Sequence, residues 1–184
     1  NNQTLCSGSS YSMNGNTYST SGTYIDTLIS SNGCDSIITT NLYISNAINI
    51  ISNSSPVSCN GYTDGSINVT ASGGSLPYTY LWSNGVTTQS ISNVAAGTYN
   101  LNIYDANNCI AIDSIIVTEP SALQTSISSS NGVITGNVLG GSSPYNYEFF
   151  GPNGLIISSF NNFGNSLSIT PINSGNYSFI AVSY

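Results

Sequence analysis

The stretch GGSLPYTYLWSNG, Gly73–Gly85, returns as GGSSPYNYEFFGPNG, Gly140–Gly154, with both glycines, the proline and both tyrosines in register. Seen once, such a segment reads as a ligand-gripping loop with aromatic plates or as one turn and one strand of a scaffold. Its return at an offset near 70 residues favours the scaffold, because a period of that size marks tandem domains. A second signature recurs beside it: SGTY at 21–24, AGTY at 96–99 and SGNY at 174–177, each leading into an alternating pattern.

Between these signatures the hydrophobic period is two, the period of a strand with one buried face. Tyr78, Tyr80 and Trp82 alternate in one copy and Tyr145, Tyr147 and Phe149 in the other, while Tyr99 and Tyr177 close the second signature. Trp82 and Phe149 hold equivalent positions, so all eight aromatics read as structural core rather than as sugar-stacking plates. No helix and no lysine follow the glycines, so a phosphate cradle does not fit.

Asn-Gly pairs at 14–15, 32–33, 60–61, 84–85, 131–132 and 153–154 are candidate type I′ hairpin turns, whose two central residues both need positive φ. Polar segments near residue 45 and Glu119-Pro120 interrupt the strand patterns. The expected fold is all-β: tandem small antiparallel modules at 1–45, 46–120 and 121–184, immunoglobulin-like sandwiches for the second and third. The third module reaches Tyr184 where the second reaches Asp105 and Cys109. Its final strand is therefore expected either from chain beyond this sequence or from another copy, as in donor-strand exchange.

Composition narrows function. Lys, Arg and His are absent, and seven acids give a formal charge of -7 over 184 residues. Such a chain cannot neutralise phosphates or dock on anionic lipid, which argues against nucleic-acid and membrane-surface partners. It also has no imidazole base, Ser-His-Asp triad, Schiff-base lysine or histidine metal ligand. It offers no trypsin site and no Lys-Asn isopeptide cross-link. Ser and Asn make up about a third of the residues, a polar, uncharged surface that fits work outside the cell. No apolar run is long enough to span a bilayer, and the N-terminus has no signal-peptide pattern. The sequence thus reads as part of a longer exported protein.

Four cysteines, Cys6, Cys34, Cys59 and Cys109, are even in number and form no CxxC pair, so they read as two disulfides, with Cys6 to Cys34 and Cys59 to Cys109 the expected pairing. The acids are scattered, with no DxDxDG loop. Asp64 and Asp105 are the residues a calcium ion would use, although an Asp-Gly turn suffices for Asp64. Nothing places two acids across a cleft, so neither an enzyme nor a cofactor is expected.

The run Pro56–Pro120 contains CNGYTDGSI, GGSLPYTYLWSNG, AGTYNLNIYDANNC and a closing TEP in order. It resembles the SprB-type repeat of very large surface proteins of Bacteroidetes, including gliding-motility adhesins. Cys6–Ile44, with its GCDS motif, resembles another Cys-flanked repeat of the same proteins. The resemblance implies an extracellular, cell-surface structural segment, a stalk or filament that presents a binding tip and is exported by the type IX route. Its partners would be neighbouring repeats or other copies, and surface glycans. Asp-Ser/Thr-aliphatic triplets, at Asp26-Thr27-Leu28, Asp35-Ser36-Ile37 and Asp113-Ser114-Ile115, resemble the O-glycosylation sequence of that phylum and mark Thr27, Ser36 and Ser114 as acceptors. The competing expectations are a carbohydrate-binding module using Tyr11, Tyr18 and Tyr62, and a self-assembling filament subunit.

Overall fold

The computed structural model describes residues 1–29, 33, 35–141, 145–154, 156–163, 166–170 and 175–183. Among the described residues every regular element is a strand, as the two-residue periodicity requires. The first stretch carries β1 (Asn2–Leu5), β2 (Tyr11–Met13), β3 (Asn16–Tyr18), β4 (Gly22–Leu28) and β5 (Ser36–Ile44). Then come β6 (Asn49–Ser55), β7 (Gly65–Ser72), β8 (Thr79–Trp82), β9 (Ile91–Val94), β10 (Gly97–Tyr104) and β11 (Ile110–Val117). The last stretch holds β12 (Gln124–Ser130), β13 (Val133–Leu139), β14 (Tyr145–Phe150), β15 (Ile156–Phe163), β16 (Ser166–Ile169) and β17 (Ser178–Ser183).

These strands form small sheets of order β1-β5-β4, β2-β3, β6-β7-β9, β11-β10-β8, β12-β13-β16 and β15-β14-β17. The second and third stretches repeat one plan. One sheet takes the first two strands and the strand before the AGTY or SGNY signature, and the other is built on the third strand and the strand at that signature. This is consistent with an immunoglobulin-like sandwich. One pair departs from the antiparallel expectation: β1 runs parallel to β5, with Leu5 opposite Ile44.

Backbone contacts divide the chain into two units, Asn1–Asn53 with Ile67–Ile91 and Thr98–Ile115, and Ser54–Ser66 with Ser92–Gly97 and Ile116–Tyr184. In the first, Ile67, Val69, Trp82, Ile91, Leu101 and Ile103 are buried. Trp82 lies opposite Leu101 and Tyr80 opposite Ile103 on the β8–β10 ladder. The Trp82 indole N–H donates to the Thr88 carbonyl at 2.8 Å, so its one polar atom is satisfied inside. In the second unit, Ile134, Val138, Tyr145, Tyr147, Phe149, Phe179 and Ala181 form one cluster, with Leu123, Leu167, Ile169 and Tyr177 packed against it. The Tyr147 and Phe179 rings stack at 5.4 Å, and Phe149 meets Phe179 at 4.9 Å.

The Asn-Gly pairs do not share one turn type. Both residues have positive φ at Asn14-Gly15 and Asn131-Gly132, as type I′ requires. At 60–61, 84–85 and 153–154 only the glycine does. There the Gly85 N–H donates to the Trp82 carbonyl and Gly154 N–H to Gly151, which is the longer type I turn ending in a left-handed glycine. Of the pair at 32–33, Asn32 lies outside the described residues.

The cysteines do not pair as the sequence suggested. Cys6 is bonded to Cys109 with Cα atoms 5.4 Å apart, across 103 residues. The parallel β1–β5 pairing explains it. The Ser45 N–H donates to the Leu5 carbonyl, and the Ser45 hydroxyl lies 3.5 Å from the Cys109 sulfur, so β1 delivers Cys6 to the end where Cys109 sits. Closing a loop of that length contributes about 4.7 kcal/mol in the chain-entropy treatment. Cys59 is half-buried and is the unbonded cysteine among the described residues. Cys34 lies outside them.

Candidate functional site

The most densely bonded polar centre is the turn that joins β10 to β11. Asp105 is buried at its start, and its carboxylate accepts from three backbone amides: Asn107 and Cys109 on Oδ1 at 2.8 and 2.9 Å, and Ser75 on Oδ2 at 2.9 Å. Asp suits this place because a short acceptor can reach amides two residues on, and Asn108 tolerates the left-handed φ of 59° that the turn needs. The Ala106 N–H donates to the Ser75 carbonyl and the Asn107 side chain to the Ser75 hydroxyl, so the turn is tied to the Gly73-Gly74-Ser75 loop. Burial opposes ionisation of Asp105, but the amides of Cys109, Ser75 and Asn107 outweigh it and hold its pKa below the ordinary carboxylate value.

The Gly-Gly signature is held the same way in both copies. The Tyr78 hydroxyl donates to the Gly73 carbonyl, and the Tyr145 hydroxyl donates to the Gly140 carbonyl at 2.7 Å. A methyl on Gly73 would fall 2.1 Å from the Ala47 carbonyl oxygen, and one on Gly140 would fall 2.2 Å from that of Ala122. The glycines are therefore there for close approach of the preceding linker, and the first tyrosine clamps the loop. The equal spacing of Gly and Tyr in both copies was the available signal for this bond.

A second centre lies in the first stretch. Asp26 is 3% exposed, and its Oδ1 accepts from Asn16 Nδ2 at 2.8 Å and from the Tyr18 hydroxyl at 2.7 Å. Its Oδ2 and the buried Thr40 hydroxyl have no partner among the described residues. The Asp26 hydrogen bond raises the Tyr18 pKa above its usual value. The Tyr18 ring stacks on Tyr24 at 3.9 Å. Asp26 falls on the same strand face as Tyr24, two residues away, a position the alternation made readable.

The remaining candidates sort by surroundings. Trp82, Tyr145, Tyr147 and Phe149 are buried, whereas Tyr78, Tyr80, Tyr99 and Tyr177 are half-buried. Burial also raises the pKa of Tyr80 and Tyr147. Asp64 Oδ1 accepts from the Ser58 amide at 2.9 Å, and the bonds to Ser58 lower its pKa. No group of three or more Cys, Asp or Glu converges among the described residues. Thr27, Ser36 and Ser114 are all exposed. Of the three tyrosines considered for sugar stacking, Tyr18 has one face covered by Tyr24. Tyr11 is half-buried and accepts from Asn1 Nδ2 at 3.2 Å, and Tyr62 is 57% exposed.

The family model of the SprB repeat matches residues 51–87, which run from β6 through β7 and β8 and include the first Gly-Gly signature. That segment is similar to a SprB repeat. It holds Trp82, the Tyr78–Gly73 clamp and the Asp64 turn, while Asp105 and Cys109 follow it. No curated protein matches the chain. Among solved structures, it is similar to one described as a biofilm associated protein, BSP domain, at 17% identity with a TM-score of 0.25. That likeness covers 73% of this chain and 27% of the other, so the chain spans about a quarter of that structure's length.

Proposed function

We propose that the chain is a non-enzymatic structural segment of an extracellular surface adhesin, a stalk or filament that holds a binding tip away from the cell. The SprB match at 51–87 carries this reading. The use of Asp105, Tyr78 and Tyr145 in fixing turns, and of Asp26 in tying β3 to β4, supports it. Three modules, with limits near 45 and 120, are its building blocks. Export by the type IX route, a part in gliding motility, and glycans on the exposed Thr27, Ser36 and Ser114 belong to the same proposal. Its partners are neighbouring repeats or other copies. Among the described residues β17 pairs with β14 alone, whereas its counterpart β10 lies between β8 and β11, so the outer edge of β17 is the place for a pairing strand.

The test is antibody raised against this chain and applied to intact cells that produce it. Labelling that is lost after protease shaving is expected. Labelling only after permeabilisation would overturn the proposal.

A further inference from the structure

We infer that the Cys6–Cys109 bond is a force bypass: once β1 and β11 yield, tension applied at the chain ends crosses the bond, and the chain that carries strands β2 to β10 is not drawn out until it is reduced. The bond spans 103 residues, and the SprB match at 51–87 lies wholly inside the loop it closes. A covalent link between residues 6 and 109 carries any pull from outside that interval. Strands inside it cannot be drawn out by end-to-end load while the bond holds, although β5 and β10 still hold β1 and β11, which lie outside it.

The surroundings suit that duty. Cys109 is buried, its N–H donates to Asp105 Oδ1, and its carbonyl accepts from the Asp105 N–H. The Cys109 sulfur beside the Ser45 hydroxyl is therefore screened from an attacking thiolate, and the half-buried Cys6 is the side from which reduction proceeds. Reduction by dithiothreitol consumes its two thiols, which close into a cyclic disulfide, and leaves Cys6 and Cys109 as two thiols. The segment inside the loop then enters the load path. The inference rests on the load-bearing reading only for the assumption that tension reaches the chain in use.

The experiment stretches the full chain between handles at Asn1 and Tyr184 in an optical trap. It compares oxidised protein, protein reduced with dithiothreitol, and the Cys6→Ser/Cys109→Ser double variant. At about 3.5 Å per extended residue, the completely unfolded chain should span roughly 290 Å when oxidised and roughly 640 Å when reduced, a ratio of about 2.2. The double variant should behave as the reduced chain does, without reductant. Total extension depends on covalent connectivity, so a variant that folds poorly still gives a valid reading. Equal lengths in the oxidised and reduced states overturn the inference. So does an oxidised length of roughly 380 Å, which sequential pairing of the four cysteines would give. If the lengths differ as stated but the chain yields without measurable resistance, the bypass stands and the load-bearing reading fails.

Discussion

Asp105 shows how one side chain links a turn to acid stability. Its folded pKa lies below that of the unfolded chain. Its contribution is therefore complete above the ordinary carboxylate range near pH 4, is lost as pH falls through the folded value, and is absent below both. Asp105→Asn should lower Tm at pH 7 and flatten the loss of Tm on acidification. Melting curves between pH 7 and pH 2 check this, and an acid limb parallel to that of the unmodified chain would count against the clamp. Glycine gives a second residue-scale contrast. Gly73 has φ +78° and no room for a methyl, whereas Gly15 has φ +80° and open space around it. Gly15→Ala should cost about 1 kcal/mol for its left-handed backbone alone. Gly73→Ala should exceed it by at least about 1 kcal/mol, because the Ala47 carbonyl must also move. Denaturant titration of both variants gives the order. The sequence showed that Gly73 and Gly74 were tied to a turn, but not that a linker carbonyl sits on the first of them, since that contact joins residues 26 apart.

At the scale of strands, the alternating pattern predicts which aromatics matter most. Trp82 is 1% exposed and Phe149 is 0% exposed, and each belongs to the strand that follows the Gly-Gly signature. Either residue changed to Ala should cost about 3–5 kcal/mol. Tyr145→Phe, which removes the hydroxyl from the Gly140 carbonyl, should cost only about 0.5–1.5 kcal/mol. Equilibrium unfolding in urea would separate these values, and a Trp82→Ala loss below that of Tyr145→Phe would contradict the packing described. Strand identity was legible because tyrosine and tryptophan on every second residue leave little alternative to a half-buried strand. The aromatic order was less legible. Tyr78, Tyr80 and Tyr99 share the alternation yet remain half-buried, whereas Tyr145 and Tyr147 at the equivalent places of the later copy are buried, so alternation gives the face but not the depth. The turns were half legible: Asn-Gly located them, but two residues between the paired strands select type I′ at 14–15 and 131–132, whereas 84–85 follows β8 with no paired strand directly after it and takes a longer turn.

Across the whole molecule, the absence of Lys, Arg and His removes imidazole, amine and guanidinium chemistry by composition alone, and the return of the Gly-Gly signature announces the repeat. Cysteine connectivity was not legible. Spacing along the chain favours short loops, whereas the parallel addition of β1 to β5 places Cys6 beside a residue 103 positions away. That bond places the segment matched by the SprB model, residues 51–87, in one covalent loop with the strands before it. The decisive measurement is disulfide mapping of the unreduced, thiol-blocked chain by chymotryptic digestion and mass spectrometry. A linked pair of peptides containing Cys6 and Cys109, absent after reduction, is the result the structure predicts. Peptides linking Cys6 to Cys34 and Cys59 to Cys109 would contradict it.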